Sequence, residues 1–160
     1  EVAQKYNIET YSDLTEYSRN FVFSPTLAFE NREDGLSGLQ QNYDLKFKDI
    51  KSMDGALRYQ ALKKGDAQVI DAYSTDGLLK KFNLKVLKDD KEFFPPYYAV
   101  PLVREEVVKE HPEVKEILNK LSGKIDEETM INLNYQVDEE GKTPEDVAHD
   151  FLVEQKLINK

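Results

Sequence analysis

The chain contains no cysteine, which excludes a disulfide scaffold, a cysteine-based zinc site and a thiol nucleophile. Histidine is nearly absent too. His111 and His149 are the only two, far apart and without partners at metal-ligand spacing, so they read as solvated helix positions and no metal is expected. Net positive charge is missing: 22 Lys and Arg face 31 Asp and Glu, a formal charge of −9. Phosphate backbones are held by clustered cations, so no nucleic-acid partner is expected. No run approaches the roughly 20 apolar residues of a membrane span, and the first residues lack the basic, apolar, small-residue order of a secretion signal. The chain has no Gly-rich phosphate loop and no nucleophile paired with a base, so no cofactor is expected and no enzyme activity. Asp71 with Asp76 is the obvious acid–base pair, but one that 31 carboxylates make easy to find. Internal repeats and low-complexity segments are absent.

What is present is about one domain's length, 160 residues with 39% hydrophobic and 33% charged, enough for a core. It starts with Glu1-Val2-Ala3-Gln4-Lys5-Tyr6, without an initiator Met and already in a helix-like pattern, and so reads as part of a longer polypeptide. A helix start is expected at Ser12-Asp13-Leu14, then a buried strand at Phe21-Val22-Phe23 and a turn at Ser24-Pro25-Thr26. Leu36, Leu39 and Tyr43 fall at helical spacing after Arg32-Glu33-Asp34-Gly35. A second strand is expected over residues 47–51. Asp54 is placed to cap a helix that turns Leu57, Ala61 and Leu62 inward and closes at Gly65. Val69 to Tyr73 reads as a third strand, Thr75 or Asp76 as the cap of a short helix over residues 77–81, and Leu84 to Leu87 as a fourth strand. Strands alternating with helices predict an α/β fold with a mixed, largely parallel sheet. After Tyr98 the texture changes: one extended piece over residues 99–103, then a mainly helical segment. Its expected apolar face comprises Val107, Val114, Ile117, Leu118 and Leu121, followed by Ile125, Met130, Leu133 and Val137. Thr143-Pro144-Glu145-Asp146 starts a last helix that buries Val147, Phe151 and Leu152.

The candidate site follows from this order. Tyr73 stands where a parallel strand hands over to a helix, and open α/β sheets take ligands at the carboxyl ends of their strands. Ser74 and Thr75 add hydroxyl donors beside it. Twenty residues on, Phe93-Phe94-Pro95-Pro96-Tyr97-Tyr98 sets four aromatics around two prolines whose fixed φ holds the neighbouring rings. Alternation lets at most one of Tyr97 and Tyr98 face a cleft. Tyrosine ring faces attract a cation without bond-making, while the planar fork of Arg32 suits a ligand carboxylate, or else an ordinary ion pair with Glu30, Glu33 or Asp34.

The segments Arg32-Glu33-Asp34-Gly35, Leu57-Arg58-Tyr59-Gln60-Ala61-Leu62, Ser74-Thr75-Asp76-Gly77-Leu78-Leu79, Val86-Leu87-Lys88-Asp89-Asp90-Lys91, Phe93-Phe94-Pro95-Pro96-Tyr97 and Leu133-Asn134-Tyr135-Gln136-Val137-Asp138 together resemble the substrate-binding component of osmoprotectant ABC importers. The resemblance covers essentially the whole chain. It implies a periplasmic-binding-protein-like, type II fold and capture of glycine betaine, choline or carnitine by an aromatic cage, with delivery to a membrane permease. By position Tyr73 and Tyr97 resemble cage tyrosines and Arg32 the carboxylate arginine. The family usually carries an acidic residue four positions before that arginine, where this chain has Ala28. That variant resembles a sub-branch whose ligand is ergothioneine and which includes fusions to the permease. Matched to the family, residues 1–97 correspond to the second lobe of a two-lobe protein. Residues 98–160 correspond to the segment that returns to the first lobe, whose N-terminal part is not in this chain. The resemblance implies an extracytoplasmic, membrane-attached parent, either a lipoprotein or a permease fusion. Without the rest of that lobe, the returning helices are expected either to pack on the second lobe in an altered way or to expose apolar surface that drives a homodimer of the chain. The alternative is a protein–protein interaction domain that docks through the aromatic cluster around Pro95-Pro96.

Overall fold

In a computed structural model, which describes residues 1–159, the chain opens with a short helix α1 (Val2–Lys5) and then α2 (Tyr11–Tyr17). α2 begins one residue before the expected start because Thr10 and Asp13 cap it reciprocally. The Thr10 hydroxyl accepts the Asp13 N–H at 3.0 Å, and the Asp13 carboxylate accepts the Thr10 and Glu9 N–H groups at 2.9 and 3.0 Å, a capping box. The backbone donors of Glu9 and then Thr10 hold the Asp13 carboxyl below the usual carboxylate range.

Strands β1 (Val22–Ser24), β2 (Asp49–Ile50) and β3 (Val69–Ile70) form a parallel sheet in the order β2-β1-β3. Val22 pairs with Asp49 and Phe23 with both Ile50 and Val69. The central strand β1 is buried more deeply than its two neighbours: Phe23 is 2% exposed and Phe21, just before the strand, 4%, while β2 and β3 contain no buried residue. The strands are shorter than the expected runs, although Lys48 and Lys51 donate to the Phe21 and Phe23 carbonyls and extend the β1–β2 ladder beyond its ends. The sheet is wholly parallel among the described residues, not mixed. Its strand ends after Ser24, Ile50 and Ile70 consequently share one edge.

Between β1 and β2 lie α3 (Leu27–Asn31), a π-type turn (Glu33–Ser37) and α4 (Gly38–Tyr43). The turn folds tightly against α3: a Cβ on Gly35 would lie 2.0 Å from the Phe29 carbonyl oxygen. α5 (Leu57–Lys64) joins β2 to β3 and ends, as expected, at Gly65 with φ +79°. Its start differs. Asp54 gives its carboxylate to the Leu27 N–H and the helix begins at Leu57, so Leu57 turns outward, 65% exposed, while Arg58, Tyr59 and Ala61 are buried. Tyr59 stacks on Phe82 with ring centroids 5.8 Å apart.

Residues 84–87 do not form the expected strand; among the described residues the pairing nearby is a single parallel bridge between Thr10 and Lys88. Asn83 in the left-handed region, φ +48°, breaks the extended path just before it. Residues 88–94 are instead tied down by Asp89, whose carboxylate accepts the Tyr43 hydroxyl and the Phe93 and Phe94 N–H groups, the latter two at 3.1 and 2.8 Å. Phe93 and Phe94 thereby join the core of Ile8, Leu14, Phe21, Leu39, Tyr43 and Leu45. Two of the four clustered aromatics are thus structural.

The chain separates into two compact units. The first holds Glu1–Tyr73 and Phe82–Pro95; the second holds Ser74–Lys81 and the chain from Pro96 onward. In the second, α6 (Gly77–Lys81) packs on α9 (Glu127–Asp138), and α9 also packs on α10 (Pro144–Glu154). Gly77 permits the approach, since a Cβ there would meet the Tyr135 backbone nitrogen at 2.8 Å. Thr143 caps α10 with Pro144 at its first position, as expected, and Val147 and Phe151 are buried with Leu152 half-buried. α7 (Glu105–Glu110) and α8 (Glu113–Asn119) bury no residue; of the expected apolar face Val107 and Ile117 are exposed, Ile117 by 57%, and Val114, Leu118 and Leu121 are half-buried. Amphipathic spacing sets which residues share a face, but burial needs a neighbouring layer. Residues 99–103 belong to no helix or strand.

Candidate functional site

The common carboxyl edge of the sheet carries a polar network in the first unit. Asp71, just past β3, accepts the Thr26 N–H and the Thr26 hydroxyl through its two carboxylate oxygens, each at 2.8 Å. Thr26 in turn caps α3, its hydroxyl accepting the Phe29 N–H at 3.1 Å. The loop after β2 reaches the same helix: Ser52 donates to Glu30, and Leu27 N–H donates to Asp54. Arg58 comes up from α5, donating to the Asp71 carbonyl at 3.0 Å and to the Gly55 carbonyl at 2.9 Å. All three strand-end loops are therefore tied at one corner. Ser24, the last residue of β1, is 1% exposed, and its hydroxyl has no hydrogen-bond partner among the described residues.

Two of the sequence-derived site residues sit on this unit. Tyr73 leaves the edge two residues after Asp71 with 69% of its surface exposed. Arg32 follows α3 and lays its fork on Asp34, with contacts of 2.8 and 2.5 Å between half-exposed side chains. This is the local ion pair that the sequence left as the alternative for Arg32. An exposed pair of this kind contributes only about 0–1 kcal/mol.

The other three belong to the second unit. The Ser74 hydroxyl donates to Glu127 at 2.9 Å and the Thr75 carbonyl accepts from the Asn134 side chain at 2.8 Å. Lys80 donates to Asn132 at 2.8 Å, and Lys81 pairs with Glu139. The residues before α6 are thus held by one face of α9. Tyr97 and Tyr98 are 63% and 83% exposed. Glu127, Asn134 and Arg58 were not singled out as site-forming by sequence, and Asp71 was named only as half of a carboxylate pair with Asp76. Arg58 and Asn134 lie in segments that carry the family resemblance, which was the available signal.

Among the described residues no group of three or more His, Asp or Glu side chains is arranged to hold a metal ion. His111 and His149 are exposed beside Glu113 and Asp150, the former at the end of α7 rather than within it. An open cavity of about 350 Å³, bordered by Lys5, Asn20, Lys48, Asp66 and Gln68, lies at the amino ends of the strands, away from the polar edge. No helix among the described residues is long and apolar enough to cross a membrane.

Comparison with known proteins gives a consistent result. Residues 1–154 match the family described as the substrate binding domain of ABC-type glycine betaine transport systems. The chain is 47% identical over 152 residues to the ergothioneine transport permease/ergothioneine binding protein EgtU of Helicobacter pylori, covering 95% of this chain and 28% of that protein. It is 44% identical over 153 residues to the carnitine transport binding protein OpuCC of Listeria monocytogenes, covering 95% and 50%. A crystal structure of a glycine betaine/carnitine/choline ABC transporter superposes with a TM-score of 0.86 at 41% identity, over 97% of this chain and 57% of that one. The chain spans about half the length of the binding proteins it matches, and less of the permease fusion.

Proposed function

Because this chain belongs to the family of substrate binding domains of ABC-type glycine betaine transport systems, whose fold is that of periplasmic-binding-protein-like substrate binders and whose members are not enzymes, we propose that it supplies part of a solute-capture site. The solute is a quaternary-ammonium compound: glycine betaine, choline, carnitine or ergothioneine. Tyr73 and Tyr97 grip its cationic head by their ring faces. Arg32, with Ser74 and Thr75, takes the carboxylate of those solutes that carry one. Residues 1–97 act as the second lobe of a two-lobe binder, with Ser74–Lys81 packing instead against the helices of the returning segment, residues 98–160. Capture occurs outside the cytoplasmic membrane, on a lipoprotein or permease fusion, and the loaded protein docks on an ABC permease. The observation that supports this reading best is Tyr73, a large ring left 69% exposed at the carboxyl edge of a parallel sheet, where such folds take their ligands.

Calorimetric titration with glycine betaine, choline, carnitine and ergothioneine tests it. Heat with one solute is expected. Tyr73→Ala removes a contact of about 0.5–2 kcal/mol, a weakening of about 2- to 30-fold. Unchanged affinity in that variant would take Tyr73 out of the site, and silence with all four solutes refutes capture by this chain alone.

A second reading rests on the run from Tyr97 to Leu102, where Tyr98, Val100 and Leu102 are 83%, 75% and 98% exposed. An apolar stretch of this kind is a docking face, and it supports self-association of the chain. Sedimentation equilibrium decides this: a dimer weakened by Leu102→Asp supports it, and an ideal monomer removes it.

A further inference from the structure

The pair Arg58–Asp71 stands apart from the proposed ligand contacts and is the most deeply placed pair of opposite charges at the strand edge. The two side chains are 11% and 17% exposed, and the closest approach of Arg58 Nε to an Asp71 carboxylate oxygen is 3.7 Å. Removing two charges from water is costly, and their mutual attraction offsets it only with good geometry and further hydrogen bonds. Both charges make such further hydrogen bonds. Arg58 donates to the backbone carbonyls of Asp71 and Gly55, while Asp71 accepts the Thr26 N–H on one carboxylate oxygen and the Thr26 hydroxyl on the other.

Each charge therefore fixes a loop. Asp71 binds the turn that follows β1 to the end of β3. Thr26, held this way, caps α3, and Arg32 is the residue immediately after that helix. Arg58 holds the Asp71 carbonyl and so sets the peptide plane that leads through Ala72 to Tyr73. We infer that Arg58 and Asp71, acting through Thr26, are positioning residues that hold Tyr73 and Arg32 in register at the carboxyl edge. Preorganisation of this kind lowers the ordering cost of binding. The inference deepens the solute-capture reading and rests on it for the identity of what Tyr73 and Arg32 hold, whereas the locking of the edge is measurable without a ligand.

The test uses Asp71→Asn, Arg58→Lys, Thr26→Val and Thr26→Ser, with hydrogen exchange and calorimetric titration of glycine betaine, choline, carnitine and ergothioneine on each. Asp71→Asn, Arg58→Lys and Thr26→Val are expected to speed exchange about tenfold or more across residues 26–32 and 71–74, and to weaken solute binding by a similar factor. Thr26→Ser keeps both hydroxyl bonds and is expected to restore wild-type exchange and affinity, which a loss of bulk packing alone would not allow. Lower melting temperatures with unchanged exchange at the edge and unchanged affinity would overturn the proposal and leave the pair purely structural. If the wild-type chain binds none of the four solutes, the capture reading fails by itself: loosening of the edge in Asp71→Asn still supports the lock, and an unchanged exchange pattern overturns it as well.

Discussion

Gly35→Ala is the substitution whose consequence is best fixed by the structure. A methyl group at this position would lie 2.0 Å from the Phe29 carbonyl oxygen and 3.2 Å from Arg32 Cβ, and the backbone is at φ −101°, ψ −130°. The obstructing oxygen belongs to the last turn of α3 and cannot swing aside like a side chain. Overpacking costs about 1–3 kcal/mol, and against a backbone oxygen that cannot move the upper end of that range is expected, about 3 kcal/mol. With a urea slope of about 2 kcal/mol/M for a chain this size, the unfolding midpoint moves down by about 1.5 M. Gly65→Ala is the control: Gly65 is left-handed at φ +79° but has nothing within 4 Å of its missing Cβ, so it loses only the conformational term, about 1–2 kcal/mol. Urea unfolding of both, followed by circular dichroism, makes the comparison. If Gly35→Ala is no less stable than Gly65→Ala, the close approach of the turn to α3 is not real. Because the Gly35 N–H also bonds the Arg32 carbonyl at 3.0 Å, solute affinity is expected to fall along with stability.

Other expectations concern buried polar groups. Ser24→Ala removes a fully buried hydroxyl without a partner among the described residues, so the variant is expected to be unchanged or more stable by about 1 kcal/mol; a destabilised variant in a thermal melt would mean that the hydroxyl is bonded in solution. Tyr43→Phe leaves the Lys91 N–H without its partner and removes one of the two donors to an Asp89 oxygen that keeps the Phe93 N–H, costing about 1–3 kcal/mol, which a urea midpoint at pH 8 reads. Burial, and then the hydrogen bond to Asp89, raise the Tyr43 phenol well above its ordinary value. Its contribution to stability is therefore complete below the unfolded-state value near about pH 10 and is lost as pH rises through the higher folded-state value. Stability measured from pH 8 to 11 should accordingly fall less steeply in Tyr43→Phe than in wild type. Equal slopes would refute this assignment.

Much of this protein was written in short-range sequence signals. The parallel sheet followed from three apolar runs separated by helical spacings, because strands without tight-turn connections must cross over and return parallel. The Gly65 and Thr143-Pro144 boundaries were legible because their chemistry is local: a left-handed closing residue, a hydroxyl cap and a proline at the first helical position. Tyr73 was legible as a ring at a strand end, and the six matching segments identified the family. Tertiary structure decided what depends on distant partners. Residues 84–87 alternate like a strand, yet no neighbouring strand accepts their ladder, and the segment after them is anchored by Asp89 on Tyr43, 46 residues earlier in sequence. Phe93 and Phe94 look like Tyr97 and Tyr98 in sequence, but the same anchor draws the first two into the core. In the sequence Arg58 showed only as part of a segment that carries the family resemblance, and Asp71 only as half of a carboxylate pair that 31 acidic residues make easy to find. Their role became visible when the fold brought Thr26, 45 residues from Asp71, within 2.8 Å of both carboxylate oxygens. Periodicity and caps are local properties of a chain, whereas the desolvation of a charge and the partner it then requires are set only by what the fold packs around it.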